Sequence, residues 1–312
     1  MNITIVGYGI QGRAQALNLR DSGNDVVIVN REDSYAHTAL QDGFEILPMV
    51  DALKRAEVVF LLIPDAVQDE ILKGQIFPNL CAGTTLVFAH GYWLTYERES
   101  LPNDINVLMM APRFPGEQIR QTFIEGGGVP VYVDVVQDVS ETSEQVLESL
   151  CKDLGYAAGG VINLSYKQET EIDLFIEQFM APTFFASAET AFQLLVEKGY
   201  PKEAVCLELY YSGELGAVRS MMGRNGLYKG FQDNASPTCQ YGVASGRKLL
   251  WGSEMRDKAS MALERITSGN FSSELSNQNL SEQTLDNFVN SDLAKQIKAT
   301  EKDVNKLVKK FL

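Results

Sequence analysis

Apolar runs that alternate with amphipathic stretches organise the first half of the chain. The apolar runs are rich in β-branched residues and cover residues 3–6, 26–29, 58–63, 85–89, 107–111 and 129–133. A helical pattern at residues 140–154 precedes a last strand pattern at 157–163. Continuous apolar strands separated by helices indicate a parallel sheet that is covered on both faces.

The second half of the chain has a different pattern, because the strand signal ends at about Lys167. Helices are predicted over residues 169–181, 183–198, 202–222, 245–267 and 292–312, and residues 268–283 are predicted as a loop with one helical turn. The pattern therefore predicts two domains. An α/β domain with a parallel sheet covers residues 1–164, and an all-α domain covers residues 165–312.

The most specific motif joins the first strand to the helix that follows it, and it reads Gly7-Tyr8-Gly9-Ile10-Gln11-Gly12. In this spacing the first glycine permits a tight turn, the second lets the backbone approach a pyrophosphate, and the third allows close packing of helix on strand. The helix N-terminus adds unpaired N–H groups for the anion. The sequence therefore predicts a Rossmann-type nucleotide-binding domain, with a glycine-rich turn that binds nothing as the alternative.

Charge and hydropathy exclude several classes of protein. The formal net charge is −14 for 312 residues, so nucleic acid and anionic membranes would be repelled. No apolar run reaches the length of about 18 residues that a membrane span needs, and the first strand begins within two residues of Met1. We therefore expect a cytoplasmic protein with no nucleic acid or membrane partner and a small-molecule substrate.

Carboxylates in apolar helices are the candidate metal ligands. Asp173 and Glu177 are four residues apart, so they share one face of a helix whose other residues are mostly apolar. Because buried carboxylates need a cation, and hard oxygen ligands suit Mg²⁺, this pair predicts a magnesium site. Glu208 and Glu214 repeat the pattern in a later helix. A solvated acidic face is the alternative interpretation for both pairs.

Two further side chains follow predicted strands directly. His90 comes after the strand at residues 85–89, and Arg113 comes after the strand at residues 107–111. Ligands of open α/β sheets bind at the carboxyl ends of the strands. We therefore expect His90 to take part in the chemistry and Arg113 to hold a carboxylate or phosphate, with a purely structural loop histidine as the alternative for His90.

Four stretches of the chain match the sequence motifs of one protein family. The family start G-Y-G-x-Q-G-x-A-x-A-L-N-L-R-D-S-G is matched from Gly7 to Gly23. The family stretches L-L-P-D-x-x-Q and F-A-H-G-F are matched at residues 62–68 and 88–92. The stretch E-T-E-x-D-L-F-x-E-Q is matched at residues 169–178. The chain therefore resembles the ketol-acid reductoisomerase (acetohydroxyacid isomeroreductase) family in its short class I form, and the resemblance covers nearly the whole chain.

The resemblance implies a reaction, its cofactors and the residues that serve them. It implies that a 2-hydroxy-3-oxo acid such as acetolactate, bound to two Mg²⁺, undergoes alkyl migration and is then reduced by NAD(P)H in branched-chain amino-acid biosynthesis. It implies a homodimer or larger homo-oligomer. The catalytic residues would be His90, Arg113 and Glu177, the metal ligands Asp173, Glu177, Glu208 and Glu214, and the substrate residue Ser236. The nucleotide would meet Gly7 to Gly12, Arg31, Ser34, Pro64, Asp65, Gln68, His90 and Gly116.

The chain departs from the family pattern around the substrate and the second metal. Arg113 stands where the family motif A-P-K-x-P-G has lysine. The second glutamate of the family's acidic helix falls on Ser212, with Glu214 as the alternative ligand. Pro237 and Gln240 replace an aspartate and a glutamate of the motif S-D-T-A-E-Y-G. The nucleotide fingerprint is intact, so these departures bear on the substrate and on the alkyl migration.

Two alternatives to this function stay open, and so does the choice of nucleotide. The protein could reduce another small 2-keto or 2-hydroxy acid without alkyl migration, or it could bind nucleotide without catalysis. Arg31 and Ser34 suit a 2′-phosphate, whereas Glu32 and Asp33 suit a free ribose diol, so the sequence predicts NAD(P)H without choosing between NADH and NADPH.

Overall fold

The computed structural model describes residues 1–307, without the side chains of residues 278–280. Contacts divide the chain into two compact units, Met1–Asp173 and Leu174–Leu312. The boundary between them lies within one long helix. The predicted domain division at residue 164 stays a prediction. Within the described residues, no helix is long and apolar enough to cross a membrane.

The first unit is built on one eight-stranded sheet, in the order β3-β2-β1-β4-β5-β6-β7-β8. Its strands are β1 Asn2–Val6, β2 Asp25–Val29, β3 Glu45–Ile46, β4 Val58–Leu61, β5 Thr85–Phe88, β6 Asn106–Pro112, β7 Val131–Gln137 and β8 Val161–Asn163. Helices connect them: α1 Ile10–Asp21, α2 Ser34–Gln41, α3 Met49–Arg55, α4 Asp65–Ile71, α5 Tyr92–Tyr96, α6 Gly116–Ile124, α7 Ser143–Asp153 and α8 Tyr156–Gly159. The predicted Rossmann-type α/β fold is confirmed.

The sheet is buried on both faces, as the continuous apolar runs predict. Ile3 and Ile5 of β1 belong to one apolar cluster, and Val6 belongs to a second cluster together with Val59 and Leu61. Strand order reverses at β1, which lies between β2 and β4. A nucleotide binds at such a reversal in this class of fold.

One pairing in the sheet differs from the prediction of a parallel sheet. β6 and β7 are antiparallel, with Met110 opposite Val133, whereas the other neighbouring strands of this sheet are parallel. The sequence of β7 alternates apolar and polar residues, Val131-Tyr132-Val133-Asp134, and exposure alternates with it. Such alternation is typical of antiparallel strands covered on one face, so the signal was present in the sequence.

The second unit is helical. Its elements are the greater part of α9 Tyr166–Glu197, then α10 Lys202–Cys206, α11 Glu214–Asn225, α12 Leu227–Asn234, α13 Pro237–Leu250, α14 Ser253–Thr267, α15 Asn270–Leu275, α16 Gln278–Val289 and α17 Asp292–Leu307. Phe192, Val205, Cys206 and Val304 form its buried core. The predicted all-α second half is confirmed, and the predicted helical residues 308–312 lie outside the described part.

Helix α9 is longer and less buried than the sequence predicts. Two helices separated at Pro182 were expected, but α9 continues through this proline. The prediction was wrong because a proline removes one backbone donor without always ending a helix. Leu174 is buried, whereas Ile176 and Met180 are 52% and 54% exposed. The expected burial of this helix is therefore only partly met within one chain.

The predicted helix over residues 202–222 is interrupted. After α10 comes a π-helical turn at Leu207–Tyr211, and α11 begins only at Glu214. Between them Gly213 has φ +83°, a left-handed conformation that glycine adopts without steric penalty. Glu208 and Glu214 therefore do not lie on one continuous helix, which corrects the expectation of a single acidic helix.

Two further helix boundaries differ from the sequence prediction. The expected helix over residues 245–267 is two helices, α13 and α14, separated by Trp251 and Gly252. The expected loop over residues 268–283, with one helical turn, contains α15 and the start of α16. Residues 268–283 are rich in Ser and Asn and lack the apolar periodicity on which the helix predictions depended.

Candidate active site

The predicted nucleotide loop has the geometry that its glycines indicate. Gly7 has φ +99°, and a Cβ there would lie 2.5 Å from the Leu62 carbonyl oxygen. A Cβ on Gly12 would lie 2.0 Å from the Gly7 carbonyl oxygen, whereas a Cβ on Gly9 would meet nothing within 4 Å. Gly7 and Gly12 are thus required by packing, and the open space above Gly9 fits a bound phosphate.

The N-terminus of α1 offers its backbone donors to an anion. Gly9 is the N-cap residue, no side chain caps the helix, and its first turn contains no acidic residue. Ile10, which begins the helix, is 66% exposed. A pyrophosphate at this end would receive unpaired N–H groups and the positive end of the helix dipole.

Tyr8 and Gln11 connect the loop to the rest of the first unit. The Tyr8 side chain is fully buried, and its hydroxyl donates to Asp42 Oδ2 at 2.9 Å. The Tyr8 N–H donates to Asn30 Oδ1 at 2.9 Å, which joins the loop to the end of β2. Gln11 Nε2 donates to the Phe114 carbonyl at 3.0 Å. The predicted contact of Tyr8 with nucleotide is thus restricted to its backbone.

The segment after β2 carries the residues predicted to meet the adenosine ribose. The Arg31 side chain is 87% exposed, and its Nε lies 2.9 Å from Asp33 Oδ2. Asp33 caps α2 by accepting from the backbone N–H groups of Tyr35 and Ala36. The hydrogen bond from Arg31, together with these backbone donors, lowers the pKa of Asp33. Ser34 is the first residue of α2 and is exposed.

The turn from β4 to α4 places Pro64, Asp65 and Gln68. Pro64 is the N-cap residue of α4, and Asp65 begins this helix. The buried Gln68 donates to the Ile63 carbonyl at 3.0 Å and to Asp65 Oδ1 at 2.9 Å, so it fixes the turn. Burial raises the pKa of Asp65 above its ordinary value. Gly116 also has a packing role, because a Cβ there would lie 2.1 Å from the Ile10 carbonyl oxygen.

His90, Arg113 and Asp173 meet at one place in the first unit, around the fully buried carboxylate of Glu169. Glu169 Oε2 lies 2.7 Å from His90 Nδ1 and accepts from the Gly91 N–H at 2.8 Å. Arg113 donates to Glu169 Oε1 at 3.1 Å and to Asp173 Oδ1 at 2.8 Å. Asp173 Oδ2 lies 3.8 Å from His90 Nε2. The two residues after β5 and β6 are therefore joined by two carboxylates of α9.

Glu169 begins the matched family stretch at residues 169–178 but is not among the predicted site residues. It lies four residues before Asp173, which lies four residues before Glu177, so the three carboxylates share one face of α9. This spacing was the available signal. Gly91 lets the helix approach, because a Cβ there would lie 2.2 Å from the Tyr166 carbonyl oxygen.

The charges of this cluster favour a protonated His90. Burial lowers the pKa of His90, but the hydrogen bond to Glu169 and the charges of Glu169, Asp65 and Asp173 outweigh burial and raise the pKa above its ordinary value. We assign a proton to Nδ1, because an ionised carboxylate can only accept. Nε2 then holds the proton that titrates.

Ligand atoms of His90, Glu169 and Asp173 lie within 4.8 Å of one another, a spacing that allows a metal ion. Two of the three are carboxylates, as Mg²⁺ prefers. Asp173 is 29% exposed and thus reachable from solvent, whereas Glu169 is inaccessible. Glu177 is exposed one helical turn beyond Asp173. The predicted roles of Asp173 and Glu177 as metal ligands stay predictions.

The remaining predicted ligands belong to the second unit. Glu208 lies in the π-helical turn, and Glu214 begins α11 with its N–H donating to Ser212 Oγ at 3.3 Å. Ser236 is the N-cap residue of α13 and accepts from the Cys239 N–H at 3.2 Å. Pro237 occupies the first position of that helix, where proline is favoured. The predicted roles of Glu208, Glu214 and Ser236 in binding metal and substrate stay predictions.

Comparison with known proteins gives the same family for both halves of the chain. The NADPH-binding domain of acetohydroxy acid isomeroreductase matches residues 1–160, and the C-terminal domain of ketol-acid reductoisomerase matches residues 166–310. A ketol-acid reductoisomerase (NADP(+)) from Pyrobaculum calidifontis is 36% identical over 274 residues, which are 87% of this chain and 83% of the relative.

Solved structures agree with the sequence comparisons. The structure of an NADH-preferring ketol-acid reductoisomerase from an uncultured archaeon is 32% identical with a TM-score of 0.90, covering 99% of this chain and 95% of the other. An NAD-binding protein from Cupriavidus necator has a TM-score of 0.60 at 19% identity over 85% of this chain and 98% of its own, which shows a shared fold alone. Since both domain models match and the Pyrobaculum relative shares more than a third of the aligned residues, the chain belongs to the ketol-acid reductoisomerase family.

Proposed function

We propose that the protein is a Mg²⁺-dependent, NAD(P)H-using ketol-acid reductoisomerase. It rearranges a 2-hydroxy-3-oxo acid of the acetolactate type by alkyl migration and reduces the resulting 2-keto acid to a 2,3-dihydroxy acid. The observation that carries this proposal is the cluster of His90, Arg113, Glu169 and Asp173 in the domain that has the nucleotide fingerprint. It combines a proton-holding group, a cation and a solvent-accessible carboxylate.

Each group of the site has a proposed task. Asp173 and Glu177 would hold the metal, which supplies polarisation of the substrate oxygens when bound, as the nicotinamide supplies hydride. His90 holds a proton at Nε2 for a substrate oxygen, and Glu169 orients the ring through Nδ1. The N-terminus of α1 binds the pyrophosphate, and Arg31 with Ser34 lies at the adenosine ribose.

A second candidate function is reduction without alkyl migration. The observation that favours it is the interruption at Gly213, which separates Glu208 from Glu214. If migration needs both glutamates on one helix face, only the reductase step would remain.

Turnover of nicotinamide with three substrates distinguishes the two candidates. Oxidation of NADH or NADPH is followed by absorbance with 2-acetolactate, with 3-hydroxy-3-methyl-2-oxobutanoate and with hydroxypyruvate, each with and without Mg²⁺. Mg²⁺-dependent turnover of acetolactate supports the reductoisomerase. Turnover of the other two acids alone supports the reductase, and no turnover of any of them contradicts both.

The chain is also proposed to act as a homodimer or larger homo-oligomer. Large apolar side chains of α13 are open to solvent in the single chain: Tyr241 is 77%, Leu249 85% and Leu250 75% exposed. Several large apolar side chains exposed on one helix indicate surface that an interface would bury. Sedimentation velocity tests the proposal, and a monomer at micromolar concentration would contradict it.

A further inference from the structure

The Arg113 guanidinium donates to one of the two carboxylate oxygens of Asp173, the residue proposed to bind a metal. Its Nη1 lies 2.8 Å from Asp173 Oδ1, and its Nη2 lies 3.1 Å from Glu169 Oε1. Glu169 is fully buried and has two further partners, His90 and the Gly91 N–H, whereas Asp173 faces solvent in part. A divalent cation that reaches Asp173 therefore meets a positive charge already bound there.

Several contacts hold the guanidinium in this orientation. Its Cζ lies 5.0 Å from the centroid of the Tyr132 ring, a cation–π contact. The Arg113 N–H donates to the Pro130 carbonyl at 2.9 Å, which fixes the backbone beside β7. Nε is buried with no hydrogen-bond partner, so the two carboxylates and the ring set the orientation of the group. Because these contacts already restrict the Arg113 side chain, its ion pair with Asp173 costs little further side-chain entropy.

We infer that Arg113 competes with the divalent cation for Asp173 and thereby sets the metal affinity of the protein. This inference rests on the proposed assignment of Asp173 as a metal ligand. The hydrogen bond from Nη1 takes one of the acceptor sites that the Asp173 carboxylate would offer a cation, and the guanidinium charge repels a second cation. Arginine suits this task because its planar fork reaches two carboxylates at once, whereas a lysine ammonium is a compact point charge.

Binding of Mn²⁺ to the full-length chain tests the inference, with free Mn²⁺ measured by electron paramagnetic resonance in the absence of nucleotide and substrate. Arg113→Lys retains a cation for buried Glu169 but cannot span both carboxylates, and Arg113→Gln removes the charge. Both substitutions are expected to lower the Kd for Mn²⁺ by about tenfold or more, the effect of freeing one charge-assisted hydrogen bond. Should Arg113→Gln fail to fold, Arg113→Lys alone carries the test.

Arg120 offers a matched control. Its side chain is 22% exposed, against 25% for Arg113, and it also pairs with a carboxylate, that of Asp21, beside an aromatic ring, that of Phe123. Arg120→Lys should bind Mn²⁺ as the wild type does. An unchanged or higher Kd in both Arg113 variants would overturn the competition.

Asp173→Asn separates this inference from the assignment on which it rests. Weak Mn²⁺ binding in Asp173→Asn, with tight binding in Arg113→Lys, supports both statements. Weak Mn²⁺ binding in Asp173→Asn with unchanged binding in Arg113→Lys overturns the competition but supports Asp173 as a metal ligand. Wild-type binding in Asp173→Asn overturns the ligand assignment and the competition together.

Discussion

Glu169 Oε2 lies 2.7 Å from Nδ1 of His90, and the Glu169 side chain is wholly enclosed by protein. The carboxylate sits on α9, whereas the histidine follows β5, so this contact joins the helix to the carboxyl end of the sheet. The same oxygen also receives the Gly91 N–H at 2.8 Å. The buried carboxylate of Glu169 therefore orients the His90 ring and, together with the charges of Asp65 and Asp173, raises the pKa of His90 against the effect of burial.

Glu169→Gln is expected to lower the pKa of His90. The amide is nearly isosteric but uncharged, so it removes the hydrogen bond to an anion and the charge that raise this pKa against burial. The chain contains two histidines, so nuclear magnetic resonance of the ring protons can follow both, with exposed His37 as an internal reference. The titration is made without divalent cations. An unchanged His90 titration would show that Glu169 acts only through packing.

The same contact predicts a pH dependence of stability. Because the pKa of His90 is raised in the folded protein above its ordinary value of 6.5, its contribution is fully present below about pH 6.5 and is lost as pH rises through the folded-state pKa. The difference in free energy of unfolding between wild type and Glu169→Gln should therefore shrink from acid to alkaline pH. Urea unfolding at several pH values measures it, and a difference independent of pH would contradict the ion pair.

The glycine turn between β1 and α1 could be predicted from the sequence because its signals are local. Gly7, Gly9 and Gly12 lie within one turn between a strand and a helix, so spacing alone fixes their tasks. The reversed direction of β7 was missed although its alternation was readable. The helix boundaries after residue 200 were missed because they depend on a left-handed glycine and on polar helices, which apolar periodicity does not report.

The cluster of charged side chains around Glu169 could be predicted only in part, because its contacts connect residues that are far apart in the sequence. His90, Arg113 and Asp173 were each predicted as site residues, but their common partner Glu169 was not, because the spacing that puts Glu169 on the same helix face as Asp173 does not tell whether its carboxylate is buried or solvated. The pairing of Arg113 with Asp173, 60 residues apart, follows from the sheet order and not from any motif. The residue types therefore indicated which chemical groups the site contains, whereas the fold was needed to show which charged groups contact one another.

Glu177→Gln is expected to abolish turnover of acetolactate while it leaves nucleotide affinity within a few fold. The substitution removes a proposed metal ligand and no nucleotide contact. Steady-state turnover and quenching of protein fluorescence by NADPH measure the two effects. Glu197→Gln, an exposed glutamate at the end of the same helix, is the matched control and should behave as the wild type. Loss of nucleotide binding in Glu177→Gln would contradict this division of tasks.

Alanine substitutions at Gly12 and Gly9 are expected to affect stability differently, although both should weaken nucleotide binding. A Cβ on Gly12 would collide with the Gly7 carbonyl, so Gly12→Ala should lower the free energy of unfolding by about 1–3 kcal/mol and weaken nucleotide binding. A Cβ on Gly9 meets open space, so Gly9→Ala should unfold like the wild type and lose nucleotide binding alone.

Urea unfolding and nucleotide titration of both variants test this contrast. Gly74→Ala serves as control, because a Cβ there also meets nothing within 4 Å and the residue lies outside the fingerprint. Normal nucleotide binding by Gly9→Ala would show that no phosphate approaches this glycine.

Arg31→Ala is expected to raise the KM for NADPH by about tenfold and to change the KM for NADH little. Arg31 is 87% exposed beside the first turn of α2, where its terminal nitrogens can reach a 2′-phosphate that NADH lacks. Initial rates with each nucleotide give the two KM values. Arg55→Ala is the control, because Arg55 pairs with Glu45 on the surface. Equal losses with both nucleotides would mean that Arg31 acts through Asp33 and the cap of α2. No loss with either would remove Arg31 from the nucleotide site.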